Sequence, residues 1–67
     1  MKSAKLLIVG GGFGQVPAIK AAKDLGLTAL VVDRDVGAIG MGISDIPITV
    51  DITDVEGVVA AARLHNI

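Results

Sequence analysis

The sequence predicts an α/β fold built on a short parallel sheet, and three observations predict it. Two apolar runs, Lys5–Val9 and Leu27–Val32, are short, rich in β-branched residues, and end at Gly10 and Asp33. Such runs, without strict alternation, read as strands covered on both faces. Between and after them lie stretches with apolar residues at helical spacing. The apolar content is Val, Ile, Leu and Ala, with one Phe and no Tyr or Trp, a palette suited to a sheet packed under Ala-rich helices.

The elements follow in order. Lys5–Val9 is expected as a central strand buried on both faces, and Gly10–Gly14 as the loop that leaves it. A helix is expected over about Gln15 to Leu25. Pro17 fits its first turn, where the missing N–H costs nothing. Val16, Ile19 and Ala22, with Ala18 or Leu25, would form the buried stripe, and Lys20, Lys23 and Asp24 the wet face. Gly26 is expected just past the end of that helix, where a left-handed residue closes it. Leu27–Val32 is the second strand, ending at Asp33. Arg34 to Ser44 is a glycine-rich loop with room for one helical turn, and Met41 would cover the sheet there. Ile46–Asp51 is a third strand, with Pro47 demoting its first half to a sheet edge. Thr53 and Glu56 have capping-box spacing. The helix after them is expected to run to about Leu64, burying Val55, Val58, Val59 and Ala62, with Gly57 weakening it by about 1 kcal/mol relative to Ala. Asn66 is a candidate C-cap, and His65 would interact with the helix dipole.

The order β-α-β-β-α, with right-handed crossovers, gives a partial doubly wound, Rossmann-like sheet of strand order 3-2-1. A further strand would lie on the other side of the first. The chain is therefore expected to be one truncated domain over residues 1–67, and the open edge of its first strand implies a homo-oligomer.

Composition narrows the function classes. The net charge is −1 and there is a single aromatic residue, whereas nucleic-acid binding leans on basic surface and stacking aromatics. With no cysteine and one histidine, neither a disulfide nor a thiolate or histidine metal site is available. The apolar run after Lys5 is too short for a signal sequence, and no segment approaches the ~20 apolar residues of a membrane span. The expected location is cytoplasmic. A core of this size rarely supplies more than ~3–5 kcal/mol without a staple.

Chemistry is concentrated at one motif. A strand ending in Gly10-Gly11-Gly12-Phe13-Gly14 and opening a helix is a phosphate-type turn. Glycines let backbone N–H groups approach an anion, and the helix N-terminus adds partial positive charge. Asp33 stands where dinucleotide folds place an acid on a ribose hydroxyl. The dinucleotide fingerprint is incomplete, because its third glycine would fall on Gln15 or Pro17. The bland alternative is that the glycines only permit tight strand-to-helix packing. Arg34 and Asp35 read rather as a solvated strand exit than as ribose contacts, and Asp51, Thr53 and Asp54 as helix capping.

The stretch Leu6 to Leu27, together with Val31-Val32-Asp33-Arg34-Asp35 and Asp45-Ile46-Pro47-Ile48-Thr49-Val50-Asp51-Ile52-Thr53-Asp54, resembles the opening of ATP-grasp enzymes. The likeness covers nearly the whole chain and looks closest to carbamoyl-phosphate-synthase-like members. It implies a pre-ATP-grasp domain, the amino-terminal substrate-side module of an ATP-dependent carboxylate ligase, inactive alone. Gly11, Gly12, Phe13, Gly14 and Gln15 would face an acid or phosphate-bearing substrate, and Asp33, Arg34 and Asp35 would form the rim of the same crevice. Phe13 departs from the Pro or small residue that family carries there. No catalytic or metal-binding residue falls in this chain. ATP and Mg2+ would be held by the rest of the parent protein, whose ATP-grasp domains, or a self-copy, would be the partners. The alternative is half of an NAD(P)- or FAD-binding domain of an oxidoreductase.

Overall fold

The computed structural model describes residues 4–67. It is a small α/β domain in which three parallel strands form one sheet. The elements are β1 (Lys5–Val9), a 3-10 turn (Phe13–Gln15), α1 (Val16–Asp24), β2 (Thr28–Asp33), α2 (Ile39–Ile43), β3 (Ile46–Thr49) and α3 (Val55–Leu64).

The strands lie in the order β1-β2-β3, with Leu7 opposite Leu30 and Val32 opposite Ile48. The middle strand is the buried one: Ala29, Leu30, Val31 and Val32 are shut off from solvent. Strand β1 is not the doubly covered strand its sequence suggests. It lies at an edge, and Leu6 and Val9 are 41% and 46% exposed. An apolar run records that a strand can be buried, while the number of neighbours beside it decides whether it is.

Alternation sends Ala29 and Val31 to one face of the sheet and Leu30 and Val32 to the other. On the first face Ile19 and Ala22 of α1, Met41 of α2, Ala29 and Val31 form the core cluster, with Ile8, Leu27, Ala38 and Ile43 packed around it. Met41 thus covers the sheet as expected. Leu25, offered as an extension of the α1 stripe, is exposed. The second face is left to α3, of which only Ala61 is buried. Val55 and Val59, expected to pack inward, are 70% and 41% exposed.

Both long helices end in the same device. The Gly26 amide donates to the Lys23 carbonyl and the Leu27 amide to that of Ala22, with Gly26 at φ +77°. After α3 the amides of Asn66 and Ile67 donate to the carbonyls of Arg63 and Ala62, with Asn66 at φ +60°. These are Schellman closures, with glycine or asparagine at the left-handed position.

The start of α3 is one residue later than the capping-box spacing implies. Asp54 is the N-cap, and its carboxylate accepts the Gly57 amide. Thr53 instead donates its amide and hydroxyl to Asp51 Oδ1. Gly57 has a positive reason to be there: a Cβ on it would collide with the Asp54 carboxylate and lie 2.9 Å from Val50 Cγ1. The third strand stops at Thr49, two residues short of expectation, because the chain turns at Asp51, whose carboxylate takes up the Thr53 amide. Pro47 sits in this edge strand, opposite Val31. At the other end Asp45 Oδ2 accepts the Ala29 amide and closes the start of the β2–β3 pairing. No helix among the described residues is long and apolar enough to cross a membrane.

Candidate functional site

The parallel sheet brings the carboxyl ends of all three strands to one side, the position where open α/β sheets bind ligands. The glycine turn lies there. Gly10, at φ +98°, swings the chain off β1 while its amide still donates to the Val32 carbonyl at 2.7 Å. A side chain at that φ would be strained.

Gly11 is committed inside the protein. It is buried, its amide donates to Asp33 Oδ2 at 2.8 Å, and its carbonyl accepts the Gly40 amide at 2.7 Å. A Cβ on Gly40 would stand 2.6 Å from that carbonyl oxygen and 2.8 Å from Ile19 Cδ1. Backbone therefore lies on backbone where α2 crosses the turn. This Gly11–Gly40 contact fixes the height of the turn above the core.

Gly12, Phe13 and Gly14 are exposed, and their amides donate to no group among the described residues. The Gln15 amide closes on the Gly12 carbonyl, and the Val16 amide on that of Phe13. Gln15 is the N-cap of α1 but does not cap it with its side chain. Its amide group lies back across the turn, with Oε1 3.3 Å from where a Gly12 Cβ would be. Phe13, the single aromatic residue, projects outward at 79% exposure. Free backbone donors beside the first turn of a helix are the requirement for holding a carboxylate or phosphate oxygen.

Asp33 joins this turn to a second feature. Its Oδ1 accepts the Asp35 amide at 2.9 Å and its Oδ2 the Gly11 amide. These bonds, the Asp35 one foremost, hold its carboxyl below the usual aspartate range, with the Arg34 charge assisting. Asp33 and Arg34 then line, with Asp51, Ile52 and Thr53, a cleft of about 300 Å³ at the ends of β2 and β3. The two bonds from Thr53 also lower the Asp51 carboxyl.

The structure thus brings Gly11 to Gln15, Asp33 and Arg34 to one end of the sheet. Asp35 follows on the loop beyond them, where its Oδ1 accepts the Gly37 amide, and it does not line the cleft. Sequence reasoning left Asp51, Ile52 and Thr53 out of the site and read Asp51 and Thr53 as capping. A signal was present, because parallel strands deliver the residues after β3 to the same side as those after β2. The Gly40 contact was also missed, since nothing local distinguishes Gly40 from Gly42. Among the described residues no three His, Asp or Glu side chains are grouped to hold a metal. No protein-family model, no curated protein and no solved structure matches this chain.

Proposed function

We propose that this chain is a Rossmann-like, substrate-side module of an ATP-dependent carboxylate ligase of the ATP-grasp kind, offering its glycine turn to the carboxylate or phosphate of a small substrate. The module does no chemistry by itself. It supplies donors that orient an anion, and the residues that handle ATP and Mg2+ belong to partner domains.

What supports this reading is that Asp33 already holds the turn through both oxygens, although each keeps a further acceptor site on which a ribose hydroxyl could compete. The rival, half of a dinucleotide-binding domain, is favoured by the placing of that acid at the end of β2. It requires the carboxylate to accept ribose hydroxyls. Both Asp33 oxygens already accept backbone amides, one from Gly11 and one from Asp35. The carboxylate serves as a clasp between turn and sheet, leaving the amides of Gly12, Phe13 and Gly14 as the exposed donors.

Calorimetry separates the two readings. The ligase module gives no binding heat with NAD(H) or FAD, before or after Asp33→Ala. Measurable affinity for either cofactor, lost on Asp33→Ala, would overturn the proposal in favour of the dinucleotide-binding reading.

A further inference from the structure

The loops that leave β2 and β3 form the walls of the cleft of about 300 Å³, and their backbones are tied. The Val50 amide donates to the Asp33 carbonyl at 3.1 Å and the Asp54 amide to that of Asp51 at 2.9 Å. Asp33 and Arg34 come from one loop, and Asp51, Ile52 and Thr53 from the other. Each carboxylate is held by its own surroundings. Asp51 Oδ1 accepts the Thr53 amide at 2.9 Å and the Thr53 hydroxyl at 2.8 Å, which leaves Oδ2 without a donor among the described residues. The Asp33 oxygens take the Gly11 and Asp35 amides, one each, and each keeps a further acceptor site. The Arg34 charge acts on both carboxyls, yet its guanidinium donates to neither. The cleft thus holds both signs of charge side by side and unpaired.

We propose that this cleft binds the zwitterionic head of a small α-amino acid, its ammonium on Asp51 and Asp33 and its carboxylate on Arg34. The walls select that ligand by charge. Both aspartates titrate below the usual range, so at neutral pH the cleft carries two carboxylates and one guanidinium. A simple anion there meets two carboxylates, and a simple cation meets the guanidinium. A zwitterion satisfies both, because an ammonium offers only donors and a carboxylate only acceptors. A guanidinium is also the group whose fork matches a carboxylate through two parallel bonds. Ile52, 47% exposed, offers apolar surface to an aliphatic side chain. Size agrees, since the volume lies at the bottom of the ~300–1,000 Å³ typical of small-molecule sites. The place agrees too, beyond the carboxyl ends of adjacent parallel strands. This site goes beyond the anion-holding role of the glycine turn, with which it shares only Asp33.

The test is a residue-resolved amide NMR titration of the whole chain with L-valine, set beside acetate, ethylammonium and ribose. Saturable shifts are expected with L-valine at the Arg34, Ile52 and Thr53 amides. The other three probes, each presenting part of the pattern, should bind at least tenfold more weakly. Arg34→Gln and Asp51→Asn should each weaken L-valine about tenfold, the loss expected for one charged hydrogen-bonded contact. Arg34 is exposed, and the carboxamide of Asp51→Asn can still accept the two Thr53 bonds, so circular dichroism should be unchanged in both. Phosphate shifts at the glycine turn should survive Asp51→Asn, which keeps a failure of the cleft distinct from a failure of the turn. No saturable shift with L-valine overturns the proposal. So does ethylammonium or ribose binding as tightly as L-valine, which would make the cleft an acidic patch or a polyol site. L-Valine shifts centred on Gly12 to Gly14 would put its carboxylate on the turn and overturn it too.

Discussion

The two faces of this sheet are covered by helices of similar length, yet they are covered very differently. On one face α1 sinks Ile19 and Ala22 completely, and α2 locks down through Met41 and the Gly40–Gly11 backbone contact. On the other, α3 is the more apolar helix by sequence but buries only Ala61. The difference lies in how each helix is tied. The first is held at its beginning by the glycine turn, at its end by the Gly26 closure, and from above by α2. The second is set by an Asp54 cap, its own closure, and a hydrogen bond from Lys5 Nζ to the His65 carbonyl. Apolar content does not by itself press a helix onto a sheet; close backbone approach does. The well-tied face is also the one that carries the glycine turn, so the exposed donors rest on the more closely packed side of the sheet.

Truncating one apolar side chain on each face gives the largest expected contrast. Ile19→Ala should cost about 2–5 kcal/mol, as removing a fully buried aliphatic chain does. That is comparable with the whole stability of a core this size, so the variant should be largely unfolded. Val59→Ala, on the exposed side of α3, should change stability by about 0.5 kcal/mol or less. Denaturant unfolding followed by circular dichroism measures both. Equal losses would mean that the two faces are packed alike and would remove the comparison.

Two glycines of α2 sharpen the same point at smaller scale. Gly40→Ala forces a methyl against the Gly11 carbonyl and Ile19, and overpacking of this kind costs about 1–3 kcal/mol. A Cβ at Gly42 meets nothing within 4 Å, so Gly42→Ala should stabilise by about 0.4–1 kcal/mol through the unfolded chain. If Gly40→Ala were as harmless as Gly42→Ala, the turn could shift under load, and its donors would not be preorganised.

The smallest effect concerns acid. Asp33 and Asp51 both titrate below the ordinary aspartate range because backbone amides donate to them. At pH near 4 the unfolded chain therefore binds more protons than the native one. The stability these groups contribute is complete above the unfolded pKa of about 3.9 and is lost as pH falls through their lowered native values. Unfolding free energy should decline on acidification below about pH 5, and Asp33→Asn should shallow that decline. A steeper decline in the variant would mean that the Asp33 clasp does not carry the effect.

Much of this architecture was legible in the sequence. The β2 run, the Gly26 stop, the place of Pro17 in the first turn of α1 and the edge position of Pro47 each follow from a local backbone requirement. What was not legible depends on neighbours. The exposure of β1 follows from having one partner strand. The choice of Asp54 over Thr53 as cap is a one-residue decision between two good capping types, settled when Asp51 captured Thr53. The role of Gly40 exists only once Gly11 is brought against it. At the site, the glycine turn and Asp33 could be read from spacing. That Asp33 would tie the Gly11 and Asp35 amides together, and that Asp51 and Thr53 would join Arg34 around a cleft, required the sheet to be assembled first.

The most direct test of the central claim is a residue-resolved amide NMR titration of the whole chain with inorganic phosphate. The turn as described predicts saturable shifts centred on the amides of Gly12, Phe13 and Gly14, with the Gly11 amide, already bonded to Asp33, moving less. Shifts centred on Asp51 to Thr53, or none that saturate, would contradict it and leave the glycines as packing alone.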